Sequence, residues 1–201
     1  MHTPDVSRYI RLWPGLDLPA LAPWQITQHC ETHIRTLLDR LGPGYQRQGD
    51  IAIHETATVE NGAVLKGAII IGGNAFVAAG AYLRGGVYLG ADCIVGPSCE
   101  LKTVFMLDGS KVAHFNFVGD SLLGERVNVE AGAIIANYRN EMDGADIRVR
   151  YGDAVIETGV SKFGALVGDG CKIGANAVIA PGAVLPVDGR VKRLELVDQF
   201  G

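Results

Sequence analysis

The chain has 201 residues, 48% of them hydrophobic, and a formal net charge of −4 with a pI near 5.7. That is enough chain to bury a real core in one domain, and the acidic balance excludes the global basic field of a nucleic-acid binder. No apolar run reaches the length of a membrane span and no signal peptide opens the chain. The four cysteines lack zinc spacing and point to a reducing compartment, the cytoplasm by default.

Residues 1–22 show no periodicity. Tyr9, Ile10, Leu12, Trp13, Leu16, Leu18 and Leu21, with Pro14 and Pro19, read as an extended arm that packs against something. From residue 23 the pattern turns helical. Pro23 opens the first turn, Ile26, Cys30, Ile34, Leu37, Leu38 and Leu41 form one apolar stripe, and Gly42 with Pro43 ends it. This predicts a helix over residues 23–41 covering one end of whatever follows, because an open stack exposes unpaired strand edges. His29 and His33 stand four apart, the spacing of helical metal ligands, but no third ligand accompanies them; they read as helix-face histidines and no metal site is expected. Residues 1–50 are thus an arm and a capping helix, and 51–201 the main body.

That body is written in sixes. Ile53, Val59, Leu65, Ile71, Val77, Leu83, Leu89, Val95 and Leu101 follow at steps of six, and a mostly small second column runs four residues behind: Ala57, Ala63, Ile69, Ala75, Ala81, Val87, Cys93, Cys99 and Phe105. A period of six fits neither a continuous helix nor a hairpin meander. It fits short strands separated by corners and stacked into a narrow prism, with glycines such as Gly62, Gly73, Gly80, Gly132 and Gly182 at corners. After Leu101 the metre slips by one residue to Met106, Val112 and Val118, then slips again to Leu123, Val129 and Ile135; slips of this kind are where loops or functional residues intrude. Between residues 138 and 163 the pattern is lost. A polar turn (Asn140, Glu141, Asp143, Gly144) and a short strand pair hinted by Arg148, Arg150, Tyr151 and Val155 mark a loop leaving the prism. The metre returns with Val167, Ile173, Ile179 and Leu185, and residues 191–200 form a final strand or tail.

Two features carry chemistry. Lys66, Arg84 and Lys102 are each eighteen apart. If three hexads make a coil, the three cations stack on one edge at about 4.8 Å per coil, an arrangement that is unfavourable unless something anionic lies against it. A phosphate is one candidate and three splayed, solvated side chains are the other reading. His114, just past the first slip, keeps company with Asn128, Asn137 and Tyr138. An imidazole there can take a proton from an attacking amine near pH 7.

These residues fall into recognisable motifs. Lys111-Val-Ala-His114-Phe-Asn-Phe117-Val-Gly119-Asp120, then Asn128-Val-Glu-Ala131-Gly132-Ala133, then Ala136-Asn137-Tyr138 resemble the acetyltransferase domain of the bifunctional N-acetylglucosamine-1-phosphate uridyltransferases. The likeness is closer still to the archaeal-type sugar-1-phosphate nucleotidylyltransferases that carry an amino-sugar-phosphate acetyltransferase domain, and Ile156-Glu157-Thr158-Gly159 with Lys162-Phe163-Gly164-Ala165 also resemble their loop. The resemblance covers roughly residues 53–185. It implies a left-handed parallel β-helix of hexapeptide repeats, all-β apart from the N-terminal helix, forming a trimer with active sites between subunits. It implies His114 as catalytic base, Arg84, Lys102 and Asn128 as sugar-phosphate contacts, and Ala131, Asn137, Tyr138 and Ala175 along an acetyl-CoA site.

The chain departs from the pattern at three points. Phe117 stands where the family has a substrate-contacting tyrosine. The family's lysine after the Asn-Tyr pair has no counterpart in residues 140–146, leaving Arg148, Arg150 or Lys162 as replacements. Residues 1–48 are too short for a nucleotidylyltransferase domain and lack a glycine-rich nucleotide loop, so such an enzyme is expected, if anywhere, as a separate partner. The expected function is acetyl-CoA-dependent N-acetylation of an amino-sugar phosphate or nucleotide-linked amino sugar. The alternative is a module that binds sugar nucleotide or CoA without catalysis. A metal-dependent hexad enzyme of the carbonic anhydrase type needs three histidines, and only His54 and His114 lie in the prism.

Overall fold

The computed structural model describes residues 3–200. The hexads wind into a left-handed parallel β-helix in which three short strands complete a coil and each pairs with the strand one coil on: Ile53 with Ile71, Val59 with Val77, Leu65 with Leu83. Three faces result, here numbered in chain order. Face 1 begins with strand Ile51–His54, face 2 with Thr58–Val59 and face 3 with Val64–Lys66. Face 2 is a seven-stranded sheet. Faces 3 and 1 join in a twelve-stranded sheet because Tyr82–Leu89, Glu100–Met106 and Phe117–Leu123 run through the corner between them.

The two columns of the repeat fill the prism as their sizes require. Leu83, Leu89, Val95 and Leu101 are fully buried beside Ala75, Ala81, Cys93 and Cys99, and each branched side chain removed from water contributes about 1.5–3 kcal/mol. All four cysteines are free and buried. Burial pushes the Cys93 thiol up to about 12 and the Cys171 thiol up to about 11, so both stay protonated and inert.

Both slips of the metre occur at the same corner, between faces 3 and 1. Above the first slip, paired residues lie eighteen apart (Leu83 with Leu101); below it they lie seventeen apart (Leu101 with Val118). Where one coil turns through Gly85 and Gly86, the next two turn through one residue each, Thr103 and Asp120. Both have positive φ, +60° and +43°. A β-branched residue rarely adopts that conformation, and the cost is accepted where a corner is shaped for a purpose. One coil further on, the loop departs from this same corner at Asn137 and returns at Phe163, whose N–H donates to the Asn137 carbonyl at 3.0 Å. Within the loop, Arg148–Tyr151 and Ala154–Glu157 form the expected antiparallel pair.

The N-terminal segment differs from expectation. The stripe over residues 23–41 is two helices, α1 (Pro23–Gln28) and α2 (Cys30–Leu38), broken at His29. They do not close an end of the prism; they lie along its side, over face 1. The reason is the outward column of that face, Ala52, Ile70, Tyr88, Phe105, Leu122, Leu166 and Val184, which is apolar throughout and makes a second core with Trp13, Trp24, Ile26 and Ile34. Trp13 meets Phe105 edge-on at 5.3 Å and Trp24 meets Phe163 at 6.0 Å. The arm is pinned by Arg11, which reaches both Glu125 carboxylate oxygens at 3.0 Å and donates its backbone N–H to Asp169 at 2.9 Å. The first sheet edge is covered instead by Tyr45–Gln48, folded back antiparallel on Ile51–His54.

Candidate functional site

The cation column is in register: Lys66 pairs with Arg84 and Arg84 with Lys102 along the corner between faces 3 and 1. Its anionic counterweight is partly internal. Arg84 donates to Glu100 at 2.7 Å, and Lys102 donates to both oxygens of Asp120 at 3.0 and 2.7 Å. Lys66 and Arg84 each lie 5.7 Å from the centre of the Tyr82 ring, whose negative face attracts a cation. Asp120 is buried and also accepts from the Asn137 side-chain amide. Gly119 makes that approach possible, since a Cβ there would stand 2.7 Å from the Asn137 side chain. Lys102, Asp120 and Asn137 therefore form one linked group, and the one-residue corner at Asp120 aims its carboxylate at both partners.

Around this group the structure gathers five of the sequence-derived residues. Arg84, Lys102, Phe117, Asn137 and Tyr138 line one hollow of about 500 Å³, and the sixth wall is Lys162. Of the three candidates for the missing lysine, only Lys162 is here. Arg148 and Arg150 instead flank the Phe200 ring at 4.5 and 5.1 Å. Lys162 makes no ion pair among the described residues, unlike Arg84 and Lys102. A second, open hollow of about 640 Å³ adjoins the first, sharing Lys102 and Lys162 and walled by the start of α2 and the returning loop. The start of α2 seats closely because the corner is glycine-rich: a Cβ on Gly67 would stand 2.6 Å from the Glu31 carboxylate, and one on Gly86 3.0 Å from the Glu31 backbone nitrogen. The Cys30 thiol donates to the Gly86 carbonyl at 3.3 Å and lines the same hollow as Lys102 and Asp120; burial drives that thiol well up, with the Asp120 and Glu31 charges adding to it and Lys102 opposing.

The other predicted residues lie elsewhere. His114 is exposed at the opposite corner of face 3, between faces 2 and 3, its backbone fixed by a bond from its N–H to Asn116 at 2.9 Å and one from Gly132 to its carbonyl at 2.9 Å. Ala131 and Ala175 stack on that same corner, through bonds from Asn176 N–H to Ala131 and from Leu194 N–H to Ala175. Asn128 faces outward on face 2, in register with Lys111 and Lys172. Two clusters thus flank face 3, three to four extended residues apart, or about 10–13 Å. Within one chain His114 does not meet Lys102. The face between them is largely apolar, Glu100 excepted, and uncovered: Val64, Ile134, Val178 and Leu196 along it, with Phe115 and Leu194 at the His114 corner, are six of the ten large hydrophobic side chains exposed among the described residues.

The bacterial transferase hexapeptide (six repeats) profile matches residues 68–103, the coils that carry Arg84 and Lys102. The repeat of that profile continues through the coils on either side of the match. It is 33% identical over 195 residues to the bifunctional sugar-1-phosphate nucleotidylyltransferase/acetyltransferase of Sulfurisphaera tokodaii, an alignment covering 94% of this chain and 47% of that protein. The bifunctional protein GlmU of Methanococcus aeolicus is 34% identical over 87 residues, 43% of this chain and 20% of its own length. This hexapeptide-repeat chain therefore spans less than half of these relatives. The first alignment also takes in most of the N-terminal segment, which the repeat motifs do not reach. Among solved structures, the acetyltransferase domain of PglB from Neisseria gonorrhoeae overlaps 86% of this chain and 65% of its own, at 19% identity and a TM-score of 0.45.

Proposed function

We propose that the protein is an acyltransferase that moves an acetyl group from acetyl-CoA to the amine of a phosphorylated amino sugar. The observation that carries this reading is the convergence of Arg84, Lys102, Asn137 and Tyr138, joined by Lys162, which makes no ion pair among the described residues, on one hollow beside a corner of face 3. The Sulfurisphaera relative, named for sugar-1-phosphate nucleotidylyl and acetyl transfer, supports it. In this reading the cations hold the phosphate and His114 removes the proton as the amine attacks the thioester carbonyl; the C–N bond forms, the C–S bond breaks, and CoA leaves as the thiol. Rate comes from holding both substrates in reach and from backbone donors facing the developing oxyanion.

Because His114 and Lys102 stand at opposite corners, the site is completed by a second copy whose His114 corner meets this chain's Lys102 corner. The exposed apolar face 3 supports that packing, and a head-to-tail contact of this kind closes as a ring, here a trimer. A nucleotidylyltransferase acting on the product is the partner activity that the relative's name suggests. No helix among the described residues is long and apolar enough to cross a membrane; a cytoplasmic reaction is part of the proposal. A non-catalytic binding module is the second reading. It is favoured by the absence of His114 from the lining of this hollow, which leaves the cations of a single chain without a base beside them.

A thiol-release assay with acetyl-CoA across glucosamine-1-phosphate, galactosamine-1-phosphate and nucleotide-linked amino sugars tests the proposal. Turnover of at least one is expected. No thiol release with any of them at high enzyme concentration, alongside tight calorimetric binding, would establish the binding module instead.

A further inference from the structure

The acceptor hollow has a waist. The two hollows at the Lys102 corner share Lys102 and Lys162, so the cations stand in the middle of the combined crevice and not at its end. A terminal sugar phosphate anchored there would fill the side toward Phe117 and Tyr138 and leave the larger hollow, about 640 Å³, empty. Each hollow alone has the size of a small-molecule site, roughly 300–1,000 Å³. What lines the second hollow selects among groups that could occupy it. Glu31 and Asp146 both line it, together with Thr27 and Ser161. Two carboxylates repel a further phosphate but accept hydrogen bonds from hydroxyls; the Ser161 hydroxyl can serve either sense of bond, while Thr27, whose proton goes to the Trp24 carbonyl, can only accept. The wall is also firmly built. Thr27 is buried and fixed by its own bond to the Trp24 carbonyl at 3.1 Å, and Glu31 is held by Arg35 at 2.8 Å.

We infer that the crevice takes a nucleoside-diphosphate-linked amino sugar, with the pyrophosphate at Lys102 and Lys162 and the nucleoside under the start of α2. The amino sugar then lies toward Tyr138, and the ribose hydroxyls face Glu31 and Asp146. This rests on the transferase reading above and narrows its acceptor to the nucleotide-linked class. It also gives the N-terminal helices a second task beyond covering face 1. They form the wall that distinguishes a nucleotide sugar from a bare sugar phosphate.

Titration calorimetry on the full chain, without acetyl-CoA, separates the two acceptor classes. The probes are glucosamine-1-phosphate and the UDP-, dTDP- and GDP-linked amino sugars. The best nucleotide-linked probe is expected to bind at least tenfold tighter than glucosamine-1-phosphate. Glu31→Gln and Asp146→Asn should each reduce that advantage severalfold while leaving glucosamine-1-phosphate binding unchanged, and Lys162→Ala should weaken both classes about tenfold. Glu31→Gln also loosens the Arg35 contact; Asp146 is exposed and unpaired among the described residues, so its variant reads binding alone. Equal or tighter binding of glucosamine-1-phosphate, insensitive to both carboxylate variants, would overturn the inference. If that probe is also acetylated, the transferase reading survives and only the nucleotide-linked acceptor is lost. If no probe binds at millimolar concentration, the transferase site itself is misplaced.

Discussion

Asp120 offers a perturbation with two readouts that should move in opposite directions. It is 6% exposed and holds Lys102 at 3.0 and 2.7 Å as well as the Asn137 amide. Removing one partner of a buried ion pair costs about 3–5 kcal/mol. The Lys102 side chain keeps 18% exposure, so part of its charge can turn to water, and Asp120→Ala should cost about 2–3 kcal/mol. Asp120→Asn keeps the shape and one accepted hydrogen bond, and should cost about 1–2 kcal/mol, near the worth of a charge-assisted bond. For a chain of this length each kcal/mol lowers the Tm by about 2–4 °C, so the Asn variant should melt roughly 2–8 °C lower. Affinity for inorganic phosphate should meanwhile rise about threefold to tenfold, because the carboxylate competing for Lys102 is gone. Thermal unfolding at fixed protein concentration and phosphate calorimetry read the two effects. A fall in phosphate affinity together with stability would refute the competition and make Asp120 the residue that positions Lys102.

Phe117→Tyr restores the hydroxyl of the resembling family, and a buried hydroxyl that finds a partner is worth roughly 0.5–1.5 kcal/mol; about threefold to tenfold tighter acceptor binding is expected by calorimetry, and weaker binding would show a pocket reshaped around the ring. The C-terminal tail latches the loop: Arg139, one residue after Tyr138, donates to both oxygens of Asp198 at 3.0 and 2.7 Å, and Gln199 pairs with Arg150. Asp198→Ala should therefore raise hydrogen exchange in residues 139–161 while leaving the prism coils protected, and unchanged loop exchange would remove the latch. The bond from Arg11 holds the Glu125 carboxyl below its usual value. With the folded value below the unfolded one of about 4.3, the pair's contribution is complete above that pH and is lost as pH falls through the folded value. Trp13 fluorescence should report arm release in acid, and Arg11→Gln should abolish this acid dependence; an identical acid transition in the variant would assign it to other carboxylates.

The inward columns were readable because the hexad period states them, except at Phe105, which the one-residue slip turns outward to Trp13 while Val104 takes the inward place; the eighteen-residue spacing of Lys66, Arg84 and Lys102 was enough to stack them on one corner. The position of the helices was readable too, but in a column that is easily passed over. The residue before each inward anchor is apolar on face 1 from Ala52 to Val184, while on face 2 it ends in Lys111, Asn128, Lys172 and Arg190. An outward apolar column on one face alone needs a cover, and the amphipathic segment at residues 23–38 supplies it. The break at His29 was hidden, since the apolar stripe runs through it without interruption. The pairing of Glu100 and Asp120 with the cations is not legible in the spacing, although Asp120 lies eighteen residues after Lys102. Spacing places residues on a corner, but whether a side chain turns back to its neighbour depends on local φ, here the left-handed turn at Asp120. Lys162 could not be chosen over Arg148 and Arg150 from sequence, because the choice is made by where the loop closes on Asn137.

The shared site is tested most directly by mixing defective chains. His114→Ala should lower kcat by about two to four orders of magnitude, as loss of a general base does, and Lys102→Ala should cripple acceptor binding. Co-expressed in equal amounts, the two variants assemble at random. If each site takes His114 from one copy and Lys102 from the next, each needed corner is intact half the time, and the mixture should recover about a quarter of wild-type thiol release. Both variants inactive alone and the mixture equally inactive would contradict a site built between copies, and His114→Ala with near wild-type turnover would remove it as the base.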